Sequence, residues 1–434
     1  MSPEAFGITG VAALFALLAL RVPVAFAMIV VGLGGVSILN SPKAALSLLA
    51  SEGFNLASNA DLIVIPLFIL LGNIATEAGM SRKLYDAAYA WIGRFRGGLA
   101  SATVVGCAGF AALSGSSVAS ALTMGRVSLS EMKRFDYSPR LSTGVVAAGG
   151  TLGILIPPST GFVLYAILTQ ESIGRLFLAG VLPGLLLSFL FILTVWFLTL
   201  MRPELGPAGP STNWAEKARK SLGALPIVMI VFITIGGIYF GVFSPVEASA
   251  VGVGLAAVIG AASRTLSLRG FIVALKDSVA TTATVMLILI AAHVIGPFLA
   301  LSHLPTLVGD TLTGLDIGRY GVLAVILLSY LVLGCFMEGF AMLVLTMPIF
   351  LPVITALGFD PIWFGVLVVI TLEMGLITPP VGINVFIVKS VARDVPVNDI
   401  FLGVLPFLLA MIVTVVLIVL FPSLALYLPT TMIG

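Results

Sequence analysis

The sequence GILIPP at residues 153–158 has a near copy, GLITPP, at residues 375–380. The two copies are about 222 residues apart, roughly half the chain. Each lies in a long apolar segment, and a helix must break there because proline removes a backbone donor and clashes with the preceding turn. We therefore expect two repeats, residues 1–201 and 222–434, joined by a cytoplasmic linker at residues 202–221.

The composition predicts a membrane protein. Of the 434 residues, 59% are hydrophobic and 9% are charged, whereas about 25% of a soluble domain is charged. Apolar runs of roughly 20 residues, the length that spans a bilayer, recur from Ala5 to Pro422. Helices satisfy their own backbone in lipid, so the expected fold is an all-α polytopic protein surrounded by the lipid bilayer. The net charge of +2 arises in connecting loops and gives no indication of nucleic acid.

The basic residues indicate that the two repeats have inverted topology. In the first half they flank residues 97–125 on both sides: Arg82, Lys83, Arg94 and Arg96 before, and Arg126, Lys133, Arg134 and Arg140 after. The equivalent loops of the second half contain Arg319 alone. Basic residues favour the cytoplasmic face, and inversion puts all 21 there except Lys43, Arg175 and Arg319.

Each half is predicted to contain a re-entrant helical hairpin. The first, at about residues 97–125, enters from the cytoplasm with its tip near residues 114–117, and the second, at about residues 320–348, enters from the opposite side with its tip at Glu338 and Gly339. Non-helical backbone at this depth must be buried or line a cavity, so a central site is expected. Amphipathic stretches at residues 84–92 and 304–316 are expected to lie along the interface as connecting arms.

The hairpin tips and the Pro-Pro breaks are candidate Na⁺ sites. Freed carbonyls and hydroxyls form oxygen cages that suit Na⁺, and half-helix N-termini attract an anion. The first set is Ser114, Gly115, Ser116, Ser117, Gly150, Thr151, Gly153 and Pro157, and the second is Met337, Glu338, Gly339, Met374, Gly375, Thr378 and Pro379. The alternative is that glycine and serine serve only close helix packing.

A second group of residues is predicted to contact an anionic substrate. These residues lie at the first tip or at the breaks: Ser116, Pro158, Ser159, Thr160, Pro380 and Asn384. Ser159, Thr160 and Asn384 follow the breaks and are expected to face the cavity. Alternatively, such polar residues cap the local backbone.

Ionisable residues inside membrane segments are functional candidates because their burial is costly. Glu338 lies at a predicted tip, where it would favour a cation; alternatively, it caps the returning half-helix. Glu247 and Glu373 are expected to pair with polar neighbours, and His293 to serve helix packing.

Enzyme chemistry is not predicted. The sequence contains neither a Walker A motif nor H-E-x-x-H, and it has two histidines. GVGLAA at residues 252–257 fits a dinucleotide-binding pattern, but it lies in an apolar helix with no strand before it, which favours helix packing.

The chain resembles the large membrane subunit of the tripartite ATP-independent periplasmic (TRAP) transporters. The most specific matches are LFILLG at 67–72, SGSS at 114–117, IPPS at 156–159 and EMGLITPPVG at 373–382. The resemblance implies an elevator-type symporter subunit of a bacterial inner membrane that imports a small carboxylate or sulfonate with a Na⁺ gradient. It also implies two partners, a small four-helix membrane subunit and a soluble periplasmic binding protein. A stand-alone Na⁺-coupled anion symporter is the alternative.

Overall fold

The computed structural model describes residues 2–314 and 317–432, and α-helices dominate these ranges. The first half contains α1 (Pro3–Ala19), α2 (Val24–Leu39), α3 (Pro42–Ser58), α4 (Val64–Glu77), α5 (Met80–Ile92), α6 (Gly98–Ser114), α7 (Ser117–Arg134), α8 (Pro139–Leu155), α9 (Thr160–Thr169) and α10 (Ile173–Met201). The second half contains α11 (Trp214–Tyr239), α12 (Pro245–Ala262), α13 (Leu268–Leu301), α14 (Leu304–Thr313), α15 (Gly318–Gly334), α16 (Gly339–Ala356), α17 (Pro361–Gly375), α18 (Ile383–Val391), α19 (Val397–Leu420) and α20 (Ser423–Thr431). Outside the described residues lie 1, 315–316 and 433–434. Residues 1 and 433–434 are the ends of the predicted repeats, and residues 315–316 belong to the end of the predicted second arm and the stretch before the second hairpin.

The helices confirm an all-α polytopic membrane protein. Seven helices in the described ranges are long and apolar enough to cross a bilayer, and α8 with α9 forms an eighth candidate span, bent by 42°. The bend coincides with the first predicted Pro-Pro break. Five shorter apolar helices, which include α6, α15 and α17, complete the apolar set in the same ranges.

Helices begin at matching positions in the two halves. The second helix of each hairpin begins at Ser117 in the first half and at Gly339 in the second, and the helix that follows begins at Pro139 and Pro361. Both Pro-Pro peptides are cis. The halves also differ, because α13 is one helix of 34 residues where the first half has α3 and α4.

Helix ends differ by several residues from three of the predicted boundaries. The first hairpin extends past residue 125 to Arg134, because Gly125 packs against Val146 as part of a continuous helix. The second extends past Pro348 to Ala356, since proline inside a membrane helix is tolerated where neighbours compensate for the lost hydrogen bond. The linker ends early, at Asn213, which caps α11 by accepting a hydrogen bond from the Glu216 amide (2.8 Å).

Both ends of the first hairpin lie on the same side of the molecule. The Gly97 amide donates to the carbonyl of Gly206 (2.8 Å) and the Ser138 amide donates to that of Leu205 (3.0 Å), so both ends bond to the linker. The Leu99 amide donates to the Tyr137 hydroxyl (3.2 Å), and burial raises the pKa of Tyr137 to about 12. The chain therefore enters and leaves this hairpin at one face.

The helices pack into two bodies. In the first body, α1–α4 assemble with α11–α13; α2 lies along α13, and α4 contacts α12 and α13. In the second body, α6–α10 assemble with α15–α20; α6, α7 and α19 pack on α8, and α15 packs on α17. The short helices α5 and α14 contact both bodies, α5 through α11 and α6 and α14 through α13 and α16.

Helix α5 is anchored to the first body by an aromatic cluster. The Lys217 ammonium lies over the rings of Trp91 (5.4 Å) and Trp214 (5.2 Å), a cation–π arrangement. The Trp91 indole also donates to the Ser221 hydroxyl (2.9 Å). These contacts join α5 to α11, where Trp and Lys are typical of the membrane interface.

Candidate functional site

The first hairpin turns between α6 and α7 within the predicted tip. Gly115 has a φ of 58°, a left-handed conformation that suits glycine, and a Cβ there would lie 2.8 Å from the Pro158 carbonyl oxygen. Ser116 caps α7 by accepting from the Ala119 amide (3.3 Å). The Ser114 and Ser120 hydroxyls share a hydrogen bond (2.9 Å).

This tip packs directly on the broken region between α8 and α9. The Thr160 hydroxyl donates to the Gly115 carbonyl (2.7 Å). A Cβ at Gly153 would clash with the Ser116 carbonyl, and one at Gly150 would lie 3.2 Å from the Ser117 carbonyl oxygen. The structure thus brings the first predicted set together, at a separation that only glycine permits.

Two further members of the first set are buried beside the tip. The Thr151 hydroxyl donates to the Ala148 carbonyl (2.5 Å) in its own helix, and Pro157 is buried where α8 ends. The hydroxyl oxygen of Thr151 can still accept or coordinate, since its donor alone is committed.

The second tip, between Gly334 and Gly339, packs against the C-terminal end of α17. A Cβ at Gly375 would lie 2.6 Å from the Gly334 Cα, and Gly339 faces the Leu372 side chain. Met337 is buried, whereas Pro379 and Pro380 are exposed. The Thr378 hydroxyl donates to the Met374 carbonyl (2.6 Å). The second set is therefore more exposed to solvent than the first.

Glu338 precedes α16 without capping it. Its side chain makes no capping hydrogen bond, so the capping alternative was wrong. The residue is exposed and lines two cavities, the central one and a wider one of about 480 Å³ whose wall includes Arg21.

A central cavity of about 90 Å³ lies between the two hairpin tips. Four helices, α7, α9, α16 and α18, begin at this cavity, and each contributes residues of its first turn. These are Ser117 and Val118 from α7, Gly161 from α9, Gly339 and Phe340 from α16, and Ile383 from α18. The remaining lining residues are Ser116, Ile154, Glu338, Leu343, Val369, Leu372 and Leu376. Within the described part of the chain, this lining has no Lys, Arg or His. The helix N-termini bring partial positive charge to this cavity, and Glu338 is the one ionisable side chain among the described lining residues.

The predicted substrate residues do not all face the central cavity with free polar groups. Ser159 caps α9 by accepting from the Phe162 amide (3.2 Å), as the capping alternative predicted, and Thr160 bonds to the first tip. Asn384 is fully buried, and neither the nitrogen nor the oxygen of its side-chain amide has a hydrogen-bond partner among the described residues. Its neighbour Ile383 lines the cavity.

Glu373 was not among the predicted site residues. It is 1% exposed, and neither carboxylate oxygen has a hydrogen-bond partner of standard geometry in the described ranges. The polar side chain that interacts with it is that of Ser117. Glu247 pairs with a polar neighbour as expected: it forms a capping box with Ser244, whose amide donates to its carboxylate (2.8 Å). Glu373 could have been found by aligning the two Pro-Pro motifs, because that alignment places it opposite Thr151.

A further cavity of about 430 Å³ lies at the base of the first hairpin, where ion pairs join the halves. Lys133 pairs with Asp394 (2.6 Å) and Arg140 pairs with Asp399 (2.7 Å). The Lys133 hydrogen bond holds the pKa of the exposed Asp394 carboxyl below its usual value. Exposed pairs contribute little stability, so these contacts mainly set orientation.

Comparison with known proteins extends over nearly the whole chain. Residues 11–424 match the family described as "Tripartite ATP-independent periplasmic transporter, DctM component". The chain is 36% identical over 396 residues to the C4-dicarboxylate TRAP transporter large permease protein DctM of Pseudomonas aeruginosa, covering 90% of this chain and 91% of that protein. It is 32% identical to the sialic acid TRAP transporter large permease protein SiaM of Vibrio cholerae, with coverage of 95% and 96%.

The fold is also similar to that of a solved transporter. The Alcanivorax borkumensis YdaH transporter superposes with a TM-score of 0.62 at 16% identity, covering 90% of this chain and 88% of that one. The family match and the closely similar permeases, rather than this distant structure, identify the chain. It belongs to the DctM family, the large permease subunits of the tripartite ATP-independent periplasmic transporters.

Proposed function

We propose that this permease subunit imports a small organic anion, a carboxylate or sulfonate, together with Na⁺. The chain is a transporter subunit and not an enzyme, as its relatives are named. Those relatives are named for C4-dicarboxylate and sialic acid, which supports an acidic substrate.

The observation that carries this proposal is the convergence of four helix N-termini on one cavity. Each helix end carries roughly half a positive charge. The described lining adds no basic side chain, and its one ionisable residue is Glu338. An anion held this way gains from a co-bound cation. The oxygens of the first tip, supplied by Ser114, Ser116 and Ser117 and the nearby carbonyls, are suited to Na⁺.

The size of the cavity implies movement. At about 90 Å³ it is far smaller than ligand sites of roughly 300–1,000 Å³, so the tips must separate to admit an organic anion. An elevator mechanism, in which the second body slides along the first with α5 and α14 as connecting arms, is supported by the packing into two bodies. Inverted repeats are supported by the matching helix positions of the two halves.

The conformation described is inward-facing in this proposal. The second tip and Arg21 line the same cavity of about 480 Å³, and the charge pattern puts the α1–α2 turn on the cytoplasmic side. A tip that enters from the periplasmic side therefore lies close to the cytoplasmic end of the first body.

Two partners complete the proposed transporter, a small four-helix membrane subunit and a periplasmic binding protein, in a bacterial inner membrane. Family membership supports both. The alternative, a stand-alone symporter, differs in needing neither protein.

Uptake into proteoliposomes tests this proposal. The chain and the small subunit are reconstituted, and a radiolabelled C4-dicarboxylate, sialic acid and a sulfonate are each offered with the cognate binding protein. One of them should accumulate, and replacing external Na⁺ by choline should lower its uptake at least about tenfold, the loss of roughly 1.4 kcal/mol of coupling. Equal uptake in choline contradicts Na⁺ coupling, and equal uptake without binding protein favours the alternative.

Ser116→Ala is expected to raise the half-saturating Na⁺ concentration about fivefold. The change removes a tip hydroxyl and the cap of α7, which is worth about 1 kcal/mol. Thr378→Ala should weaken Na⁺ dependence in the same direction. Ser130→Ala is the matched control, because this exposed serine lies on the same helix away from the tip. If both site variants have the same half-saturating Na⁺ concentration as wild type, the assignment of these residues to Na⁺ sites is contradicted.

A further inference from the structure

The carboxylate of Glu373 is buried without a partner. The residue lies near the end of α17, is 1% exposed, and has no hydrogen bond to either oxygen within the described residues. An ionised carboxylate removed from water is strongly destabilising unless it is paired or coordinates a metal. A carboxylate in this position is either protonated or balanced by a bound cation, and the described side chains supply no cation to it.

The carboxylate lies at the tip of the first hairpin, although it belongs to the other half of the chain. Ser117 lines the same cavity as Leu372 and Leu376, which flank Glu373 at the end of α17. The Ser117 side chain also interacts with the Glu373 carboxylate. Ser117 is the first residue of α7, and its carbonyl oxygen lies 3.2 Å from the Cβ position of Gly150. Glu373 thus lies beside the group of oxygens described above as the first cation set.

The face of α17 that carries Glu373 also lines the central cavity. Val369, Leu372 and Leu376 line it, and Glu373 lies four residues after Val369, which puts both on one side of the helix. A cation at Glu373 would be adjacent to the anion cavity without occupying it.

The donor set suits a hard monovalent cation. Soft and transition metals prefer Cys and His ligands, and within the described ranges no cluster of three or more His, Cys, Asp or Glu occurs. One carboxylate, hydroxyls and carbonyls together balance a single positive charge.

We propose that Glu373 is a ligand of the transported Na⁺ at the first hairpin tip, with its carboxylate and the Ser117 hydroxyl completing the coordination. This inference rests on the proposed Na⁺ coupling. The second half supplies the charge to a cage built by the first half, so Na⁺ binding holds the tip of the first hairpin to α17. The bound Na⁺ neutralises Glu373 and leaves the helix N-termini available to the anion.

Thermal unfolding of the purified assembly tests this role. The melting temperature is measured over a Na⁺ titration, with choline chloride keeping ionic strength constant. Wild type should be stabilised by Na⁺, and Glu373→Gln should raise the half-saturating Na⁺ concentration at least tenfold. In choline alone, Glu373→Gln should be at least as stable as wild type, because the uncompensated charge is gone. Glu373→Asp keeps the charge and should retain a Na⁺ response.

Three outcomes overturn the inference. Glu373→Gln could have the same half-saturating Na⁺ concentration as wild type, its melting temperature could fall equally in Na⁺ and in choline, or it could fail to fold. Glu204→Gln, which removes an exposed linker carboxylate, should behave as wild type. Uptake by wild type separates this inference from the proposed function. If wild-type uptake depends on Na⁺ but Glu373→Gln has the same half-saturating Na⁺ concentration as wild type, only the ligand role is refuted. If wild-type uptake is the same with and without Na⁺, the Na⁺ coupling itself is refuted.

Discussion

Gly153→Val is expected to reduce Na⁺-coupled uptake at least about 100-fold, since displacement of a site by about 1 Å can cost that much. Even a Cβ at this position would clash with the Ser116 carbonyl and lie 2.8 Å from the Ser117 amide nitrogen. Because backbone cannot rotate away as a flexible side chain can, the first tip must move off α8. The cation oxygens and the N-terminus of α7 would move with it. Initial uptake rates in proteoliposomes, normalised to the amount of folded protein, measure the effect.

The control for this prediction is Gly254→Ala. Gly254 lies in α12, and no atom lies within 4 Å of its Cβ position. Uptake should match wild type, and helix propensity favours alanine by about 1 kcal/mol. Gly153→Val protein that is folded and transports at more than half the wild-type rate would show that close approach of the first tip to α8 is dispensable.

Gly375→Val is expected to lower uptake by about 10- to 100-fold, again through displacement of a binding site. Gly375 is the counterpart of Gly153 in the second GLITPP copy, and its Cβ position lies 2.6 Å from the Cα of Gly334. A side chain there would separate the second hairpin from α17. The loss should be smaller than at Gly153, because the second predicted set is more exposed to solvent and so less tightly packed.

The same uptake assay checks this second prediction, with the half-saturating Na⁺ concentration measured as well. Gly34→Ala is its control, since the space around that α2 glycine is open. An unchanged rate in Gly375→Val would mean that the second hairpin does not need its contact with α17.

The sequence predicted the breaks and tips because they depend on local chemistry. Proline pairs end helices wherever they occur, so the bend between α8 and α9 was visible in GILIPP. Ser114 and Gly115 marked the first turn for the same reason, since a left-handed residue there favours glycine.

The ends of the hairpins and the state of Glu373 could not be predicted, because they depend on tertiary packing. Pro348 and Pro352 lie inside α16, where neighbouring helices compensate for the lost hydrogen bonds. Glu373 and Ser117 are far apart in sequence, and their proximity arises only when the second half packs on the first hairpin. Glu338 occupies the N-cap position of α16, but its side chain makes no capping hydrogen bond, which the sequence likewise did not reveal.

A cryo-EM map of the assembled transporter, prepared with Na⁺ and the anion that the uptake screen identifies, tests the central claim most directly. We predict anion density between the two tips, at the first turns of α7 and α16, and Na⁺ density bounded by Ser117, Gly150 and Glu373. The Na⁺ density should be absent from a matched map in choline. Anion density elsewhere, or a tip region identical in Na⁺ and choline, would contradict a shared cation and anion site between the two hairpins.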